Sequence, residues 1–335
     1  MNIFLILCLL ALGYQTASAT SLLETFGSGA NQFSMEFVTI GNPNNAADTT
    51  GTPNPAGSVA YIYNLGKHVV SRDMITKANA AGSLGITMAD MSSYGGNGVN
   101  KPASGISWYE AAKYVNWLNT STGGTAAYKF GYSTPSDPMA SPVFSQQLWS
   151  SADAGYNANN MYRNSLAKYV IASSDEWFKG AYGKADGSWS NFANGSNSAP
   201  TPVASGTAAN TAVYNGFPSG GEAQGPADIT SAGGLSAYGT MGQGGNVYEW
   251  METATDGSNT THWEQREKRG GSWSSAFSLF NGHLEADNRS SQLPNYEDKD
   301  IGFRVAAVGV PEPSALSLLA IGLSGLALVR RRKQS

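Results

Sequence analysis

Cysteine is almost missing from this chain: one occurs in 335 residues, Cys8. It lies inside the apolar run "NIFLILCLLALG", which leads to the small-residue stretch Ala17-Ser18-Ala19. An apolar run of this length before small residues reads as a secretory signal peptide over 1–19, cut after Ala19. No Lys or Arg precedes the run, and a buried N-terminal helix or strand is the alternative. Cys8 sits too deep in the run, with no small residues before it, to carry a lipid. Once the signal peptide is removed the chain has no thiol. That excludes disulfides, thiolate metal sites and a cysteine nucleophile.

Charge is also scarce, and positive charge most of all. Only 13% of residues are charged, and 20 Lys and Arg stand against 24 Asp and Glu, for a net −4. Four of the basic residues, Arg330, Arg331, Arg332 and Lys333, crowd the C-terminus, so the rest is more acidic than the whole. A mildly acidic surface argues against nucleic acid or anionic lipid as partner. Glycine is plentiful instead, with 40 residues, and together with Asn, Ser and Thr it predicts many turns and loops. Residues 20–308 suffice for one large core or two small ones.

The clearest local signals are two capping boxes. Ser107 and Glu110 open a helix that carries Trp108, Ala111, Ala112, Val115 and Leu118 on one face. Ser173 and Glu176 open a second, with Trp177, Phe178 and Ala181 as its apolar face and Gly183 near its end. The tryptophans read as core anchors. Met35 to Gly41 reads as a strand, Val59 to Val70 as one or two more, and "DIGFRVAAV" as a late strand. The glycine-rich section 74–104 predicts at most one short helix, 120–165 a polar surface insertion, and 184–235 little regular structure. No internal repeat is visible. So much irregular backbone without disulfides calls for buried polar networks or bound cations as cross-links.

The C-terminal "VPEPSALSLLAIGLSGLALVRRRKQS" holds Pro311-Glu312-Pro313, an apolar run from Ala315 to Val329 and the basic cluster. The run is shorter than the ~20 residues that cross a bilayer comfortably, and a plain tail anchor is the bland reading. The three-part order resembles the PEP-CTERM sorting signal over 309–335. That resemblance implies an exosortase as partner. It also implies transient anchoring in the inner membrane and delivery to the surface or exopolysaccharide matrix of a Gram-negative bacterium.

Six motifs in order, "YNLGKHVVSRDM", "ISWYEAAKYVNWLN", "IASSDEWFKGAYG", "YGTMGQGGNVYEW", "RGGSW" and "IGFRVAA", are similar to the formylglycine-generating enzyme, or sulfatase-modifying factor, family. The likeness runs from Met35 to Val308. It implies an irregular α+β fold like an elaborated C-type lectin, with short helices, small antiparallel sheets and many loops. The family's enzymes hold copper with two cysteines shortly after "GGS"; the matching positions here are Ser275 and Phe280. Copper(I) wants soft thiolate ligands, so no copper and no formylglycine chemistry are expected. The histidine-iron branch of the fold needs clustered histidines, and His68, His262 and His283 are scattered.

The resemblance also implies calcium, held by the carbonyls of Gly245 and Val247 and the side chain of Glu249. A further usual ligand is replaced by Gly242, and the alternative is that Glu249 pairs with Arg269 or Arg304. A second, weaker calcium site would use Asn210 and the Thr211 carbonyl. Arg269 and Arg304 read as loop ties to carbonyls or carboxylates. Tyr248, Trp250 and Trp273 are groove candidates for a sugar or peptide, with Arg289 and His283 beside them, and core packing is the alternative for the aromatics. The expected function is a non-catalytic binding or structural module that meets exopolysaccharide or a surface protein. The competing reading is a cysteine-independent enzyme built on Glu285, Asp287, Arg289 and His283.

Overall fold

The computed structural model describes residues 21–50, 55–132, 144–215, 224–261, 263–275 and 283–309. Cys8, Ala19, His262, Phe280, Pro311, Glu312 and Pro313 lie outside the described residues. Among the described residues no helix is long and apolar enough to cross a membrane.

Two sheets carry the fold. The first contains β1 (Ser21–Phe26), β2 (Phe33–Ile40), β3 (Tyr63–Gly66), β13 (Val305–Ala307) and β6 (Tyr169–Ile171), in that spatial order. The second contains β11 (Ser290–Gln292), β10 (Arg266–Arg269), β9 (Tyr248–Ala254) and β12 (Ile301–Phe303). Two small pairs are also present among the described residues: β4 (Lys129–Tyr132) with β5 (Phe144–Gln147), and β7 (Thr201–Pro202) with β8 (Thr211–Ala212). The strand expected over "DIGFRVAAV" is two strands. β12 runs parallel to β9 in one sheet, and β13 runs antiparallel to β3 and β6 in the other. Arg304 is the residue between them, so the chain changes sheets at a buried arginine. Of 59–70, only Tyr63–Gly66 pairs as a strand.

Among the described residues three α-helices form where local chemistry starts them. α1 (Arg72–Gly82) begins at Ser71, whose side chain accepts from the Met74 amide, and stops at Ser83 in left-handed conformation. α2 (Trp108–Ser121) and α3 (Ser174–Tyr182) both show complete capping boxes, at Ser107/Glu110 and Ser173/Glu176. Each box ties down two amide donors that a helix start otherwise leaves unpaired. α2 buries Trp108, Ala111, Ala112, Val115 and Leu118, the face that the spacing indicated.

Trp108 and Trp250 are core side chains with their indoles bonded. Trp108 donates to the Met251 carbonyl at 2.9 Å, and Trp250 donates to the Ile106 carbonyl at 2.8 Å. These two bonds knit α2 to β9. The stretch 120–165 is more than a surface insertion. It holds the β4–β5 pair and the buried Tyr162, and it delivers Arg163 to the interior.

Arg163 shows how the loops are cross-linked without disulfides. Its Nε donates to Glu252 at 2.7 Å, and its two terminal nitrogens donate to Glu176 at 2.9 Å each. Glu252 also accepts from Tyr128 and Asn160. Arg266 is stacked between the Trp108 and Tyr162 rings, 4.7 and 4.0 Å from their centres. Breaking one partner out of such a buried pair is far more destabilising than the pair is stabilising over an apolar substitute.

Candidate functional site

The region that follows β10 is built on two adjacent glycines. Gly270 and Gly271 have φ of 93° and 70°, in the left-handed region. A Cβ on Gly270 would stand 2.4 Å from the Gln243 carbonyl oxygen, and one on Gly271 would stand 2.8 Å from Leu284. Glycine is the residue that tolerates both demands. The turn folds the next residues back on themselves. The Ser272 amide donates to Ser275 Oγ at 3.0 Å, and the Ser275 amide donates to the Ser272 carbonyl at 3.0 Å.

A compact hydroxyl network results. Ser272 and Ser274 Oγ lie 3.0 Å apart and both donate to Asp300 Oδ2, at 3.0 and 3.1 Å. Ser275 Oγ is 3.3 Å from His283 Nδ1 and is also bonded to the Tyr248 phenol. The Tyr248 ring lies between His283, whose centroid is 5.9 Å away, and the Lys268 ammonium, 4.2 Å from the ring centre. Burial pushes the Tyr248 phenol well up. Burial, then the neighbouring Lys268, lowers His283 from the ordinary imidazole value. Burial likewise lowers Lys268. Ser275, which the resemblance matches to the first copper cysteine, is therefore a bonded hydroxyl beside an imidazole. It offers hard oxygen where soft sulfur is needed.

Among the described residues the aromatic groove candidates are buried. Trp273 is 2% exposed, packed among Val69, Met91, Val213 and Val247 with the Tyr94 ring 5.2 Å away. Tyr248 and Trp250 are buried as well. Apolar area is worth more in the core than displayed to solvent, and the burial of these rings fits the core-packing alternative. Arg289 belongs to a different cluster: it donates to Glu267 at 2.6 Å, and Glu267 and Arg269 both bond Ser174. Glu285 and Asp287 bond each other, and burial followed by that neighbour raises the Glu285 carboxyl. Among the described residues no three His, Cys, Asp or Glu side chains come together to hold a metal.

Glu249 accepts from Arg304 Nη2 at 2.8 Å, from Arg304 Nε at 3.0 Å and from the Trp177 indole at 2.7 Å. Arg304 bonds the carbonyls of Gly66, Lys67 and Met241 besides. This is the ion-pair alternative, and it leaves the carboxylate poorly suited to calcium. Three of its roughly four acceptor directions are occupied, and a guanidinium lies against it. The ligand missing at Gly242 cannot be supplied by a side chain without crowding, since a Cβ there would meet Ala232 at 3.1 Å. The donor set does not fit the ion, and no chemistry is derived through it. At the weaker position, Asn210 sits at φ 59° with its carbonyl bonded to the Thr201 amide, and the Thr211 carbonyl accepts from Gly234. His68 is separate from all of this; burial, then Arg304, lowers it to about 4.

Sequence reasoning missed Lys268, Asp300 and the serines 272 and 274 as members of the network. Asp300 stands directly before the "IGFRVAA" motif, and Lys268 directly before "RGGSW", but their meeting depends on the β9–β12 pairing.

A family model for the sulfatase-modifying factor enzyme 1-like domain matches residues 43–308, and one for the PEP-CTERM protein-sorting motif matches 309–333. Among solved structures, Treponema denticola variable protein 1 is similar at 18% identity and TM-score 0.54, covering 87% of this chain and 100% of its own. CarF is similar at 17% identity and TM-score 0.54, covering 82% and 98%. PvdO from Pseudomonas aeruginosa is similar at 16% identity and TM-score 0.50, covering 85% and 97%. At these identities the likeness is one of fold, and it agrees with the irregular α+β architecture. No curated sequence matches the chain. The sorting motif implies recognition by exosortase and export to the cell surface of a Gram-negative bacterium. The chain belongs to the sulfatase-modifying factor enzyme 1-like family and carries a PEP-CTERM sorting motif behind that domain.

Proposed function

We propose that this exosortase-sorted chain works as a non-catalytic binding or structural module at the cell surface or in the exopolysaccharide matrix. The observation that carries the reading is Ser275. The place of a copper thiolate is held by a hydroxyl with three bonded neighbours, Ser272, Tyr248 and His283. A serine hydroxyl is a poor copper(I) ligand, and the scaffold around it is otherwise kept. Retention of the protein on isolated exopolysaccharide, above that of an unrelated exported protein, tests the binding role. Equal retention would remove the polysaccharide version.

The 3.3 Å approach of His283 to Ser275 favours one second reading, a cysteine-independent enzyme with Ser275 as nucleophile and His283 as base. Covalent labelling of Ser275 by a serine-reactive fluorophosphonate, lost in His283→Ala, would support it. No labelling in either protein would remove it.

A further inference from the structure

A groove of about 640 Å³ opens beside the point where the sorting motif begins. Its apolar lining is Pro43, Ala60, Tyr61, Ile62 and Val308, and Gly309 also lines it. Tyr61 is 44% exposed and Ile62 36% exposed. Their apolar surface is therefore presented to solvent. Its polar lining is Asn44, Asn157, Ser165 and Arg163, and the arginine's charge is already matched by Glu176 and Glu252. The Tyr61 phenol donates to Glu176 at 2.7 Å, so the ring is fixed as a platform. The groove is present in the folded domain and holds no uncompensated charge. Such a surface suits an apolar protein segment, and a solvated polyanion gains nothing from an arginine that two carboxylates already neutralise.

The position of the groove selects the partner. The family model for sorting begins at residue 309, and Gly309 is itself part of the groove. A chain extends by ~3.3–3.6 Å per residue, so Pro311 is tethered within about 7 Å of the groove and Pro313 within about 14 Å. Any enzyme that reads Pro311-Glu312-Pro313 must bring its own surface to the groove's rim. We propose that this groove is a second contact for the exosortase, which grips the folded body at Tyr61 and Ile62 while it reads the motif. The inference rests on the sorting tail and is independent of what the domain binds after export.

The test uses the full-length chain in a bacterium that expresses its exosortase. Tyr61→p-benzoylphenylalanine is compared under illumination with Thr76→p-benzoylphenylalanine, an exposed position on α1. The expected result is an adduct with the exosortase at 61, several-fold above that at 76. Two further variants read function. Ile62→Ser, checked as folded by its melting curve, should lower surface delivery several-fold. A flexible insert of about six residues after Gly309, which loosens the tether while leaving the motif intact, should do the same. An adduct at 61 no stronger than at 76, or one formed with a polysaccharide or another protein, would overturn the proposal, as would normal delivery of both variants. Pro311→Ala with Pro313→Ala separates the two ideas. If it blocks delivery while the groove changes do not, the sorting tail stands and the second contact falls. If it too is delivered normally, the tail reading falls with it.

Discussion

Replacing Glu249 with leucine removes the carboxylate that Arg304 grips from two nitrogens, at 2.8 and 3.0 Å, and that also receives the Trp177 indole. Both charged side chains are fully buried. The guanidinium left behind keeps three carbonyl partners but loses its counter-charge. Removing one member of a buried pair destabilises by about 3–5 kcal/mol. Arg304 stands where the chain passes from β12 to β13, so the loss should loosen both sheets together and the transition should stay cooperative. Equilibrium urea unfolding of the wild type and Glu249→Leu, each in calcium and in chelator, measures this. The difference between the proteins should be about 3–5 kcal/mol and the same in both buffers. A difference under about 1 kcal/mol would refute the reasoning about burial. A difference that vanished in chelator would show that Glu249 acts through calcium and not through Arg304.

Gly270→Ala should destabilise the protein by several kcal/mol, since the added Cβ meets the Gln243 carbonyl at 2.4 Å on a backbone of φ 93°; a wild-type denaturant midpoint would contradict the geometry. At Glu176, burial raises the carboxyl, but the Arg163 guanidinium outweighs it and holds the group at about 2, below its ordinary 4.5. Its contribution, on the order of 3 kcal/mol, is present above the unfolded value and is lost as pH falls toward about 2. Glu176→Gln should therefore flatten the acid limb of the stability curve between those two values; an acid limb as steep as that of the wild type would contradict the assignment.

The parts of the fold legible in the sequence are those written in short-range chemistry. Ser107 with Glu110 and Ser173 with Glu176 specify helix starts three residues apart, and both appear as read. That Cys8 is the one cysteine of the chain follows from residue identity alone. What stayed hidden depends on distant pairings. Arg163 finds Glu252 across 89 residues, and Arg304 finds the carbonyls of Gly66 and Lys67 from the far end of the chain. Nothing local to "MYRN" or "GFRVAA" says which carboxylate or carbonyl is waiting. The same applies to Trp273. Aromatic residues beside glycines suit a groove or a core equally, and only the surrounding Val69, Met91, Val213 and Val247 decide for the core.

The central proposal is that the family scaffold is kept and its oxidation chemistry is not. Mass spectrometry of a cysteine peptide carrying the sulfatase motif, after incubation with the protein and copper, tests that claim most directly. The peptide should keep its cysteine, with or without the metal; conversion of that cysteine to an aldehyde-bearing formylglycine would contradict the account.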